Sequence, residues 1–127
     1  MKTNKILLIL ISVVIILVLF SFVGNQPADE RYNQLAQCIS DSGATFYGAF
    51  WCPNCQDQKK LFQGSEKLLP YKECSTPDGR SQTFACKEAG IKGYPTWEFS
   101  DGTRITDVLN LEELSEYTKC PLIKEGE

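Results

Sequence analysis

Two cysteines three residues apart, Cys52 and Cys55 in the stretch Trp51-Cys52-Pro53-Asn54-Cys55, are the residues here best suited to chemistry. Pro53 suits the first turn of a helix, because its missing N–H is one that a helix start leaves unpaired anyway. On such a helix the two sulfurs share one face, one turn apart, near enough to close a disulfide. Cys52 then stands where free backbone N–H groups and the positive end of the helix dipole gather, which favours thiolate, the attacking species. Cys55, deeper in the helix, is expected to act second and resolve a mixed disulfide formed at Cys52.

Two other uses of the pair fit the sequence less well. A structural zinc site needs four ligands, and the chain has no histidine and one C-x-x-C, so no metal is expected. A purely structural disulfide is a poor staple at this spacing, since it closes almost no loop. Redox exchange is the expectation that remains, and it calls for no cofactor.

The elements that must position the pair can be read from local pattern. Ala44 to Trp51 carries aromatic and β-favouring residues without a charge, as a buried central strand does. The helix entered at Pro53 should run to about Phe62, with Lys59 and Lys60 as its solvated end. Ahead of the strand, Tyr32, Leu35, Ala36 and Ile39 have helical spacing. After it come a short strand over 68–74, a loop through Pro77-Asp78-Gly79, and a short helix over 83–89. A hairpin follows, with 96–99 and 103–108 flanking Asp101-Gly102, and 111–118 closes the chain as an amphipathic helix. This order predicts an α/β fold, a four-stranded mixed sheet with helices on both faces. The aromatics Phe46, Tyr47, Phe50 and Phe99 read as core, and Trp51 as a partly exposed lip beside the cysteines.

Ile6 to Val23 is an apolar run interrupted only by Ser12 and Ser21. As a helix it would span roughly 27 Å, close to the ~30 Å hydrocarbon core, so an N-terminal transmembrane helix is expected. Lys2 and Lys5 precede the run and the next basic residue is Arg31, which puts the N-terminus in the cytoplasm and the domain outside, on a single-pass anchor in the cell membrane. A cleaved signal peptide is the competing reading, but Ser21-Phe22-Val23-Gly24-Asn25 lacks its small-residue exit. The expected layout is an anchor over 1–24, a linker over 25–30, one domain over 31–120 and a tail over 121–127. Beyond Gly24 the loss of Lys2 and Lys5 takes the formal net charge from −3 to −5. With no basic patch, nucleic acid is not an expected partner. All six cysteines lie in the domain, an even count that reads as pairing in an exported protein.

Residues 44–99 resemble the thioredoxin-like domain found fused to, or acting beside, bacterial homologues of vitamin K epoxide reductase (VKOR). The resemblance is carried by the run from Phe46 through Trp51-Cys52-Pro53-Asn54-Cys55 to Lys59. It continues in Tyr71-Lys72-Glu73-Cys74 and in the run from Cys86 through Gly93-Tyr94-Pro95-Thr96 to Glu98. It implies a thioredoxin fold without the extra first strand, and a cis peptide at Tyr94-Pro95. The Pro95 loop would face the redox pair and receive substrate backbone, with Trp51, Pro53, Asn54 and Tyr94 around the same groove. It also carries a structural disulfide between Cys74 and Cys86, with a second redox relay as the alternative. That leaves Cys38 and Cys120, which such a fold could bring together at one edge, as the preferred remaining pair.

Two departures stand out. Asn54 takes a position where family members often carry histidine, and it adds no charge beside Cys52. Phe46 stands where thioredoxins hold a buried acid, so proton transfer at Cys55 needs another group. Three functions are open. The first is an oxidase of exported protein thiols, reoxidised by a quinone-linked VKOR-type membrane partner. The second is a membrane-anchored reductase or isomerase, for instance in cytochrome maturation. The third is a non-catalytic module that binds partners in the thioredoxin groove. Only the resemblance favours the first.

Overall fold

The structure, a computed structural model, describes residues 2–23 and 29–122, with side chains of the first helix described over 4–19. The elements are α1 (Lys2–Val23), α2 (Glu30–Asp41), β1 (Thr45–Gly48), α3 (Pro53–Lys60), β2 (Tyr71–Glu73), α4 (Phe84–Glu88), β3 (Thr96–Glu98), β4 (Arg104–Ile105) and α5 (Leu111–Thr118). A 3-10 turn over Glu66–Leu68 leads into β2. Much of the linker expected over 25–30 and of the tail over 121–127 lies outside the described residues, as does the Gly24-Asn25 exit.

The expected transmembrane helix is corrected. Among the described residues no helix is long and apolar enough to cross a membrane. The single-pass placement in the cell membrane, with the domain on the far side, rested on that span and falls with it.

The strand order is β2-β1-β3-β4. β1 pairs parallel with β2 and antiparallel with β3, and β3 pairs antiparallel with β4. Alternation along β1 sends Phe46 to one face and Tyr47 to the other. On the Phe46 side, Leu35, Ala36 and Ile39 of α2, Cys55 of α3, Trp97 of β3 and Leu114 of α5 form the main core. On the Tyr47 side a smaller cluster holds Cys74, Cys86 and Ile91. Phe46 stacks on Trp97, its partner across the β1–β3 ladder, at a centroid distance of 4.8 Å. Such cross-strand aromatic pairs help fix register.

Several elements are shorter than their sequence signals. The strand over 68–74 starts only at Tyr71, since Pro70 has no N–H to give a ladder. α3 stops at Lys60, before Gln63 and Gly64, both of which have positive φ. Asp101-Gly102 makes the hairpin turn, with Gly102 at φ 84° and the Asp101 carboxylate accepting from the Thr103 N–H at 2.8 Å. α5 begins with a reciprocal capping box between Asn110 and Glu113.

One core residue escaped pattern reading because it is polar. Gln58 on α3 is fully buried. Its Oε1 accepts from Trp97 Nε1 at 3.0 Å and from the Leu109 N–H at 2.8 Å, while its Nε2 donates to the Leu109 carbonyl at 2.9 Å. It ties α3 to β3 and to the approach to α5. Gln58→Ala leaves three buried groups without partners and should destabilise the domain by about 3 kcal/mol. Urea unfolding monitored by Trp97 fluorescence checks this, and a loss below about 1 kcal/mol would show the network to be dispensable.

Candidate active site

β1 ends at Gly48 and the chain turns through Ala49, Phe50 and Trp51, with the Cys52 N–H donating to the Ala49 carbonyl at 3.0 Å. Cys52 is the N-cap of α3 and Pro53 opens the helix. No side chain caps α3, so the N–H groups of its first turn are left to a group arriving at Cys52. Across the cleft Tyr94-Pro95 is cis, as the resemblance implied. The Cys52 thiol faces the Tyr94 carbonyl at 3.7 Å.

Cys52 and Cys55 are both free thiols, and their side chains hydrogen-bond each other. Cys52 retains 7% exposure against 0% for Cys55, so an incoming disulfide meets Cys52 first. Burial pushes the Cys55 thiol up to about 12, with the hydrogen bond and the charge of Cys52 adding to the rise. The Ala49 amide and the Lys59 charge oppose it.

This shift carries a pH dependence for the reduced protein. Unfolded, Cys55 ionises near 9, and folded it keeps its proton to about 12. Below about 9 both states hold the proton and stability does not respond. As pH rises from about 9 towards 12 the unfolded chain alone releases it, so stability falls. Reduced wild type should therefore lose more stability than Cys55→Ser between pH of about 8 and about 10.5, by denaturant midpoints. Equal losses would show that burial does not hold the proton on Cys55. Burial also raises Tyr71, but that residue is common to both proteins.

The lips of the cleft are braced by the segment between Cys74 and Cys86. Those two are disulfide-bonded, with Cα atoms 5.5 Å apart. Trp51 Nε1 donates to Ser75 Oγ at 2.9 Å, and the Trp51 ring meets Tyr94 edge-on at 6.1 Å. Gln82 Nε2 donates to the Tyr94 hydroxyl at 2.8 Å and to the Ile91 carbonyl at 3.0 Å. One loop thus holds both Trp51 and Tyr94. Trp51 is half exposed and so is Phe50, which had read as core. Asn54 is exposed on α3. Cys38 and Cys120 are also bonded, at the far edge of the main core, joining α2 to the segment after α5. Among the described residues no cluster of histidine, cysteine or acidic side chains is arranged to hold a metal.

Pattern reading missed Ser75, Gln82, Tyr71 and Glu73. Tyr71 and Glu73 lie in a stretch that had carried the resemblance, but nothing in the sequence assigned them a partner. Lys59, read as solvated, has its Nζ 3.5 Å from the centre of the Tyr71 ring.

A four-stranded mixed sheet, with a Cys-x-x-Cys helix start facing a cis-proline, makes this a thioredoxin-like domain with two free thiols at that helix start. No family model matches the chain. It is similar to the thiol-disulfide oxidoreductase LTO1 of Arabidopsis thaliana, at 39% identity over 98 residues, which cover 73% of this chain and 26% of that protein. The chain thus spans about a quarter of the length of that curated relative.

Proposed function

We propose that the domain is a protein thiol-disulfide oxidoreductase that exchanges disulfides with partner proteins through Cys52 and Cys55. The observation that carries this is the free Cys52 thiol at the start of α3, opposite the cis-Pro95 loop. The Cys52 thiolate attacks a partner disulfide, forming the Cys52–partner bond and expelling the other partner sulfur as thiolate. Cys55 then attacks Cys52 Sγ, leaving Cys52–Cys55 oxidised and the partner reduced. In the opposite direction a partner thiolate attacks Cys52 of the oxidised pair and Cys55 departs with the electron pair. The groove residues act in binding. Pro53 sets the helix start, Asn54 flanks the pair, and Trp51, Tyr94 and Pro95 form the walls that receive the partner's backbone.

In this reading the working direction is oxidation, and a quinone-linked VKOR-type membrane enzyme takes the electrons from Cys52–Cys55. The resemblance of residues 44–99 supports that partner, and the name of the Arabidopsis relative supports the exchange activity. The two disulfides at Cys38–Cys120 and Cys74–Cys86 support an oxidising compartment outside the cytosol, where such bonds persist. The test is to express Cys55→Ala, which cannot resolve the mixed disulfide, and identify the proteins bonded to Cys52. Capture of a multi-span quinone reductase together with client proteins is expected. Capture of cytochrome apoproteins alone would overturn the oxidase direction, and no capture at all would overturn the activity.

A further inference from the structure

Cys55 presents a problem of proton transfer. Its thiol is fully buried, yet it must lose a proton to attack Cys52 and regain one when it leaves. The parallel register of β1 and β2 sets Gly48 beside Glu73 and Phe46 beside Tyr71. A Cβ at Gly48 would stand 2.7 Å from Tyr71 Cε2, 3.1 Å from Cys55 Sγ and 3.3 Å from the Tyr71 hydroxyl oxygen. Glycine is therefore what lets the phenol and the thiol approach the same point. The Tyr71 hydroxyl donates to Glu73 Oε2 at 2.8 Å. Glu73 Oε1 is held by the N–H groups of Phe50 at 3.3 Å and Ser75 at 2.8 Å, which aim the carboxylate inward.

Building on the exchange activity proposed above, we infer that Tyr71 and Glu73 form the proton relay of Cys55, with Gly48 as the gap that admits it. As Cys55 Sγ attacks Cys52, its proton passes to the Tyr71 oxygen, directly or over one water, while the Tyr71 proton moves to Glu73 Oε2. Tyr71 ends neutral, Glu73 ends protonated, and the electron pair of the Cys55 S–H bond forms the new S–S bond. The Cys52–partner bond breaks and the partner leaves as thiolate. When Cys55 is the leaving group the proton returns by the same path. Burial raises Tyr71 as well, which suits a group that hands on a proton without ever holding the charge. The charged neighbours are few. Lys59 of α3 lies on the Tyr71 ring, and Glu66 and Lys67 of the 3-10 turn line a separate surface pocket with Lys59, Leu69 and Tyr71. Lys72 lies on the opposite face, 5.9 Å from the centre of the Tyr47 ring.

The test uses the full chain, reduced and mixed in stopped flow with an aromatic disulfide whose thiol is coloured. Attack by Cys52 releases the first thiol and resolution by Cys55 releases the second. In Tyr71→Phe and Glu73→Gln, both near-isosteric, the second phase at pH of about 7 should slow about a hundredfold and recover as hydroxide takes over at high pH. The double variant should be no slower than either single one, because both act on one path. Second phases matching wild type in rate and pH profile would overturn the relay while leaving the exchange activity standing. So would slowing that persists at every pH, which marks a structural role. Absence of two phases in wild type itself would overturn the exchange activity and the relay with it.

Discussion

Cys52→Ala should abolish disulfide exchange, lowering turnover of a model disulfide by at least about 10³-fold, as loss of a covalent nucleophile does. Cys55→Ala should behave differently. It keeps the first attack and stalls with the partner bonded to Cys52, so single-turnover release survives while multiple turnover does not. The asymmetry follows from position. Cys52 caps α3 at the cleft and retains some exposure, whereas Cys55 lies a turn further in with none. Both variants should fold, since neither cysteine is in a disulfide here. Turnover in Cys52→Ala within tenfold of wild type would place the nucleophile elsewhere and end the assignment.

The second large effect concerns stability. The Cys38–Cys120 bond links residues 82 apart in sequence, against 12 for Cys74–Cys86. In the chain-entropy account the longer loop is worth about 4.5 kcal/mol and the shorter about 3 kcal/mol. Cys38→Ser/Cys120→Ser should therefore lower Tm by on the order of 20 °C in a domain of this size. The Cys74→Ser/Cys86→Ser pair should cost less in Tm but disturb the cleft, because its loop holds Trp51 and Tyr94. Calorimetry on the two double variants orders the effects, and a shift below about 5 °C for the Cys38/Cys120 variant would show that the long loop adds little.

A small domain with one modest core has reason to depend on that long bond. Its main cluster draws on α2, β1, α3, β3 and α5, and the Cys38–Cys120 bond ties the first of these to the end of the last. Removing it frees the two ends of the chain that close the core, so the loss should appear in global unfolding and not only in fraying.

Local features were legible because short-range physics writes them into the chain. Pro53 had to begin a helix and Asp101-Gly102 had to turn a hairpin, while the charge-free run before Cys52 supplied the central strand only over Thr45–Gly48, its last residues turning towards the cysteines. The apolar spacing of Leu35, Ala36 and Ile39 was enough to predict which side of α2 is buried. Element ends were less legible. Pro70 delays β2 and the positive φ of Gln63 and Gly64 ends α3 early, details that composition alone does not rank. The apolar run at the N-terminus misled in another way, since its hydropathy suggested a membrane span that no helix among the described residues has the length and apolarity to make.

By itself the sequence determined the cysteine pair and the order of strands and helices, because each depends on a few neighbouring residues, whereas the proline opposite the pair was implied only by the family resemblance. Only the tertiary structure decided what surrounds Cys55. The register Phe46 to Tyr71 and Gly48 to Glu73 joins strands more than twenty residues apart, across a helix. No local pattern encodes such a register. It is set by how the buried faces of β1, β2 and α3 pack, and that packing also brings Gln58 to Trp97 and Cys38 to Cys120.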